Sequence, residues 1–241
     1  MTTSPAPPLT TSRRQRGRDS AVREIKAAAL DELRQHGARG VTMRGVARAI
    51  DMTPSGLYRY FDDHGALLTA LCVDARDSLR TALTQAQSAH PDDDPTTRWF
   101  RGSLVMRSWA LDHVDEYSLV IAPRLAGIDP GHPDLMAAAE RLMSVPVETV
   151  DRAIGSGDLV PAPAVPVATP TLSSSSGVTA EAWSLAVGAV SALVGAVSLE
   201  VFGPLTGAER EEAYGAYSLQ VMRGMGFAGT PDTGSLVLVA S

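Results

Sequence analysis

A single cysteine, Cys72, occurs in the 241 residues, which excludes an intramolecular disulfide and any zinc site built on cysteines. Its neighbours Leu68 and Leu71 mark it as a buried structural thiol rather than a reactive one. Lysine is equally scarce: of 21 basic residues only Lys26 is lysine and all others are arginine. The N-terminus lacks the apolar core of a signal peptide, so a cytoplasmic protein is expected. Alternating strand patterns are missing except in the short SLVLVA at 235–240. His36, His64, His90, His113 and His132 show no metal-ligand spacing such as H-E-x-x-H. There is no phosphate-cradling glycine loop and no G-x-S-x-G turn. Asp92, Asp93 and Asp94 read as a solvated break, and His113 with Asp112, Asp115 and Glu116 as a helix start with its own capping charges. No catalytic residue, metal or cofactor is expected; an enzyme on an all-α scaffold is the minor alternative.

What is present is charge of opposite sign at the two ends. The overall charge is −6, yet residues 1–61 carry 11 basic and 5 acidic side chains, while 62–241 carry 10 and 22. A basic head attracts phosphates through counterion release and an acidic body repels them. Contact with nucleic acid is therefore expected at one end only.

Apolar residues recur at helical spacing along most of the chain, so the expected fold is all-α with about nine helices. Residues 1–18 read as a disordered arm bearing Arg13, Arg14, Arg16 and Arg18, able to reach phosphates or a minor groove. Helices are expected at 19–36, 62–88, 96–113, 115–125, 133–154 (bending at Pro146), 183–203 and 206–226. Residues 155–177, with four prolines and a serine run, read as a mobile loop that buries little, and 227–241 as a tail. The domains expected are 19–62 and 63–226.

Residues 42–61, TMRGVARAIDMTPSGLYRYF, carry the main functional signal. Met43, Val46, Ala47 and Ile50 give a short helix one buried side behind Thr42 as N-cap. Asp51 and Met52 make a turn. Thr53 caps a second short helix with Pro54 at its first position. Leu57 and Phe61 anchor that helix, leaving Thr53, Ser55, Gly56, Tyr58, Arg59 and Tyr60 outward. Hydroxyls, small residues and an arginine suit phosphates and base edges, the layout of a helix-turn-helix entering a major groove.

Residues 19–83 resemble the DNA-binding region of TetR-family transcriptional regulators, a bacterial family. The likeness runs through T-x-R-x-V-A at 42–47, L-Y-x-Y-F at 57–61 and D-x-x-A-L-L at 63–68. Asp51 stands where a glycine is usual, and His64 where a lysine is usual, which weakens its phosphate contact. The resemblance implies DNA contacts from Thr42, Arg44, Thr53, Pro54, Ser55, Gly56, Tyr58, Arg59, Tyr60 and His64. It implies a homodimer on palindromic double-stranded operator DNA, acting most often as a repressor.

Residues 106–123 and 183–203 resemble the C-terminal region of one TetR subgroup. An apolar cavity for an apolar or aromatic small-molecule effector is implied, with Trp99, Met106, Trp109, Tyr117, Ile121, Met143 and Trp183 as candidate lining. Control by a protein or peptide partner is the alternative. Residues 184–204 nearly repeat every seven residues, placing Ser184, Gly188, Ser191, Gly195 and Ser198 in one small-residue stripe. Residues 182–199 lack charge, at the lower length limit of a membrane span, but the serines and the absence of flanking basic residues argue for a subunit interface instead. The resemblance implies a four-helix bundle between two subunits there.

Overall fold

The computed structural model describes residues 13–161, 178–203 and 210–232. Among these the chain is all-α, as expected: nine α-helices, one 3-10 turn and no strand, with a lone antiparallel bridge between Leu159 and Phe227. The chain divides into two compact units. One comprises Met1–Leu71 with Ala122–Asp129, the other Cys72–Ile121 with Pro130–Ser241.

The head unit holds α1 (Arg13–His36), α2 (Met43–Ala49), α3 (Pro54–Leu57), the start of α4 (His64–Ala89) and the 3-10 turn Pro123–Ala126. Ile25, Ala29 and Leu33 of α1 are buried, as are Val46, Leu57, Phe61, Leu67, Leu68 and Ile128. Thr42 accepts the Gly45 amide at 3.0 Å, and Thr53 accepts the Gly56 amide at 3.1 Å. Each hydroxyl thus satisfies a donor that a helix start leaves open. Asp51 closes the turn between them with φ 51°, the left-handed conformation that glycine more often supplies. Gly37 ends α1 at φ 68° with its amide on the Leu33 carbonyl.

Two sequence expectations change here. The expected arm at 1–18 is corrected from Arg13 onward, which is helical: arginine is a good helix former and Gln15 Nε2 donates to Asp19 one turn on, at 2.8 Å; residues 1–12 lie outside the described residues. The head also does not stop at residue 62, since Leu67, Leu68 and Leu71 of α4 complete its core. The boundary lies inside a continuous helix, which Asp63 caps through the Ala66 amide at 2.7 Å.

The body unit holds the rest of α4, then α5 (Pro95–Asp112), α6 (Val114–Ile121), α7 (Pro133–Ser156), α8 (Ala180–Val201) and α9 (Arg210–Met225). Trp99, Phe100, Trp109, Tyr117, Leu193 and Met222 centre its core. α6 stops at Ile121 instead of residue 125, because a residue before proline disfavours the α region. α7 continues as one helix through Pro146. Ala182, Ala186 and Ala189 form the buried side of α8, so its close packing rests on alanines.

The loop and tail expectations are corrected where the chain is described. Gly155 and Ser156 are helical, and Leu159 is buried and bridged to Phe227. Residues 227–232 are docked, with the Asp232 amide donating to Thr97 Oγ1 at 3.0 Å and the Phe227 ring 6.3 Å from that of Trp99. Apolar burial at Leu159 and Phe227 outweighs the local glycine and proline content. The expected loop at 162–177, the strand-like 235–240 and the start of the last helix at 206–209 lie outside the described residues.

Asp94 starts α5, accepting the Thr96 and Thr97 amides at 2.8 and 3.0 Å and the Thr97 hydroxyl at 2.7 Å. Burial pushes its carboxyl pKa up, but the hydrogen bonds from Thr97 and Thr96 outweigh this and hold it below the usual range. A depressed folded-state pKa gives stability that is complete above the unfolded value of about 3.9 and is lost as pH falls through the folded one. Asp94→Ala is expected to cost about 1 kcal/mol at neutral pH. In urea melts its gap from the wild type should narrow at acidic pH; a pH-independent gap would count against the charged cap.

Candidate nucleic-acid interface and body cavity

The exposed surface of the head around α3 is rich in donors. Thr42, Arg44, Thr53, Pro54, Ser55, Tyr58 and Arg59 are all exposed, with Tyr58 at 50%. The buried Leu57 and Phe61 hold this short element from behind. The Thr53 and Ser55 hydroxyls lie 3.1 Å apart, making a local pair that can reorient toward an acceptor. Arg14, Arg16, Arg18 and Arg48 are also exposed. Gly56 is half-buried, and a Cβ there would meet Met52 Cγ at 3.0 Å, so the glycine permits a close turn. Tyr60 is half-buried beneath the Arg18 guanidinium, 5.4 Å from its ring centre. His64 is half-buried and its Nε2 has no hydrogen-bond partner. A surface with this chemistry can bind phosphate oxygens and base edges.

The body encloses a cavity of about 310 Å³, at the small end of ligand pockets. Leu79, Leu83, Leu142, Val190, Leu193 and Val194 supply much of its apolar wall. Polar groups also line it. Tyr117 donates to the Val194 carbonyl at 3.1 Å, and burial raises its pKa while a bond to Ser198 opposes. Gln87 donates to Thr149 Oγ1 at 3.3 Å. Asp93 and Arg101 form an ion pair at 2.7 Å. Arg76 also lines the cavity; its Nη1 donates to the Leu135 carbonyl at 2.6 Å and its Nη2 reaches the Val120 carbonyl at 3.5 Å. Burial lowers the Arg76 pKa, with Cys72 opposing. Burial raises that of the Cys72 thiol, which donates to the Leu119 carbonyl at 3.2 Å.

Residues 25–71 match the family described as bacterial regulatory proteins, tetR family, and residues 99–230 match the tetracyclin repressor-like C-terminal domain. This chain belongs to the TetR family. It is similar to the HTH-type transcriptional regulators Mb1846 of Mycobacterium bovis and Rv1816 of Mycobacterium tuberculosis. Each is 26% identical over 151 residues, 61% of this chain and 63% of the relative, so the likeness spans under two thirds of those proteins. Among solved structures, a protein of unknown function from Rhodococcus sp. RHA1 superposes with a TM-score of 0.70 at 23% identity, covering 92% of this chain and 100% of that one. RolR in complex with resorcinol superposes with a TM-score of 0.56 at 15% identity, covering 90% and 98%. Both likenesses show the fold.

In this TetR-family body, Trp99, Met106, Tyr117, Ile121 and Met143 line the cavity. Trp109 and Trp183 do not. The Trp109 indole donates to Ser78 Oγ at 3.2 Å and its ring stacks on His113 at 5.0 Å, which also gives that histidine a structural place. Trp183 is half-buried against the core from the first turn of α8, away from the cavity-lining turns at Val190 and beyond.

The small-residue stripe of α8 is split. Gly188, Ser191 and Gly195 are exposed, Ser184 is half-buried, and Leu199 and Phe202 beside them are 53% and 51% exposed. Ser198 instead turns inward, 2.9 Å from the Tyr117 hydroxyl. By length and composition alone α8 could cross a membrane, yet its alanine side is packed in the body core.

Sequence reasoning missed Arg76, Gln87, Thr149 and the Asp93–Arg101 pair. One signal was available: Arg76, Leu79, Leu83 and Ala86 follow at helical spacing, so an arginine shares the inward apolar stripe of α4.

Proposed function

We propose that this chain is a DNA-binding transcriptional regulator, acting as a homodimeric repressor on a palindromic operator and released by a small effector. The observation that carries it is the exposed cluster Arg44, Thr53, Ser55, Tyr58 and Arg59, set on two capped helices whose other sides are buried. Arg44 at the start of α2 and Arg59 just after α3 reach phosphates or bases, while Tyr58 and the Thr53 hydroxyl contact the backbone. Tyr60 acts by packing under Arg18, and the half-buried His64 is the weakest phosphate ligand of the set. A DNA-binding role places the protein inside the cell.

The uncovered Gly188, Ser191 and Gly195 stripe with Leu199 and Phe202 supports pairing of α8 with a second copy, since small residues allow close approach. The apolar cavity supports an effector, and the relative RolR is described with resorcinol bound. An effector releases DNA only by binding the DNA-free form better than the DNA-bound form.

Arg44→Ala and Tyr58→Ala are each expected to weaken binding to native promoter DNA about tenfold or more while the dimer persists, with weaker binding at higher salt. Gel-shift titration and light scattering check both. Unchanged affinity in both variants removes this reading.

A further inference from the structure

Resting on the effector reading of the cavity, we infer that its ligand is an elongated apolar molecule ending in a carboxylate, which pairs with the guanidinium of Arg76. Three observations lead there. Arg76 is half-buried and lines the cavity, yet among the described residues the hydrogen-bond partners of its guanidinium are the backbone carbonyls of Leu135 and Val120. Of the other arginines at the cavity, Arg101 is paired with Asp93, and Arg98, whose Nε has no hydrogen-bond partner among the described residues, donates its Nη2 to the Pro91 and Asp93 carbonyls at 3.0 and 3.4 Å, close to that acidic residue. A cation in apolar surroundings without a carboxylate is unusual, because buried charges are normally paired. The fork geometry of arginine suits a carboxylate in particular.

Shape supplies the rest of the class. Along α4 the lining runs from Arg76 to Gln87, about 16 Å at 1.5 Å per residue. The cavity, about 310 Å³, is thus extended along α4 as a channel. Between its ends the walls are Leu79, Leu83, Leu142 and Val194. Such a channel takes a flexible chain with its acid at Arg76 more readily than a compact ring system.

The test compares decanoate, its uncharged counterpart 1-decanol and the short aryl acid phenylacetate on the full-length wild-type protein, by calorimetric titration and by tryptophan fluorescence. Decanoate is expected to bind at least thirtyfold more tightly than 1-decanol and to exceed phenylacetate. Arg76→Met should remove the preference for decanoate while changing 1-decanol binding less than threefold, and Arg76→Lys should retain part of it. Equal binding of decanoate and 1-decanol by the wild type overturns the inference but leaves the effector reading intact, as does tighter binding of phenylacetate. No binding of any of the three overturns it as well, and failure of cell extract to shift the DNA affinity would sink the effector reading separately. Because the wild-type comparison needs no variant, a misfolded Arg76→Met cannot obscure the result.

Discussion

Gly226→Ala is expected to destabilise the body by about 3 kcal/mol or more and to lower its thermal midpoint by several degrees. Gly226 follows α9 with φ 105°, a conformation side chains rarely adopt. A Cβ there would fall on the Val160 carbonyl, which is backbone and cannot swing aside. The same place ties two distant segments together: the Val160 amide donates to the Gly226 carbonyl at 3.0 Å and the Ala228 amide to Asp158 at 3.1 Å. Relief of the clash would loosen this crossing and uncover Leu159 and Phe227, now 1% and 6% exposed. Gly155→Ala is the control. It lies inside α7 with open space around its Cβ, and should be neutral or stabilising by up to about 1 kcal/mol. Calorimetric melts of the two variants decide the matter; equal midpoints would refute the backbone argument.

Glu200→Leu is the second variant with a large expected effect, about 3–5 kcal/mol. Arg107 of α5 grips Glu200 of α8 with both prongs, at 2.8 and 2.6 Å. The two side chains are only 13% and 5% exposed, and Arg107 also lies 5.8 Å from the Tyr214 ring centre. Burying the pair costs desolvation, so its net contribution is modest; removing one partner leaves a charge in an apolar setting. The double variant Arg107→Met with Glu200→Leu should therefore recover much of the loss. Denaturant midpoints for the two singles and the double give the coupling. A double variant as unstable as the sum of the singles would show that the ion pair is not what matters.

Much of the head was legible because its signals are local. A hydroxyl three residues before a glycine amide, a proline at a first helical position and apolar residues three and four apart each act within one turn. Thr42, Thr53, Pro54, Leu57 and Phe61 stand where such signals place them. Asp51 could be read as the turn because few residues tolerate a left-handed backbone. The extension of α1 back to Arg13 was missed because a run of arginines has no apolar period, although its intrinsic helix preference is good.

The cavity was less legible. Large apolar residues have the same pattern whether they fill a core or border a space. Met106 borders the cavity while Trp109, three residues on, is spent on Ser78 and His113. Ser198 belongs to the same seven-residue rhythm as Ser191, but a tyrosine from α6 claims its hydroxyl. Leu159 and Phe227 looked like loop and tail because their anchor is each other, far away in sequence.

By itself the amino-acid order determined the helical class, the capped turn-linked pair at 42–61 and the contrast between a basic head and an acidic body. These follow from periodicity, capping and charge, which depend on near neighbours or on sums. Only the tertiary structure decided which arginines line the cavity, which side of α8 is left uncovered and which glycine cannot change. Each depends on groups brought together from separate helices, and no local pattern encodes that meeting.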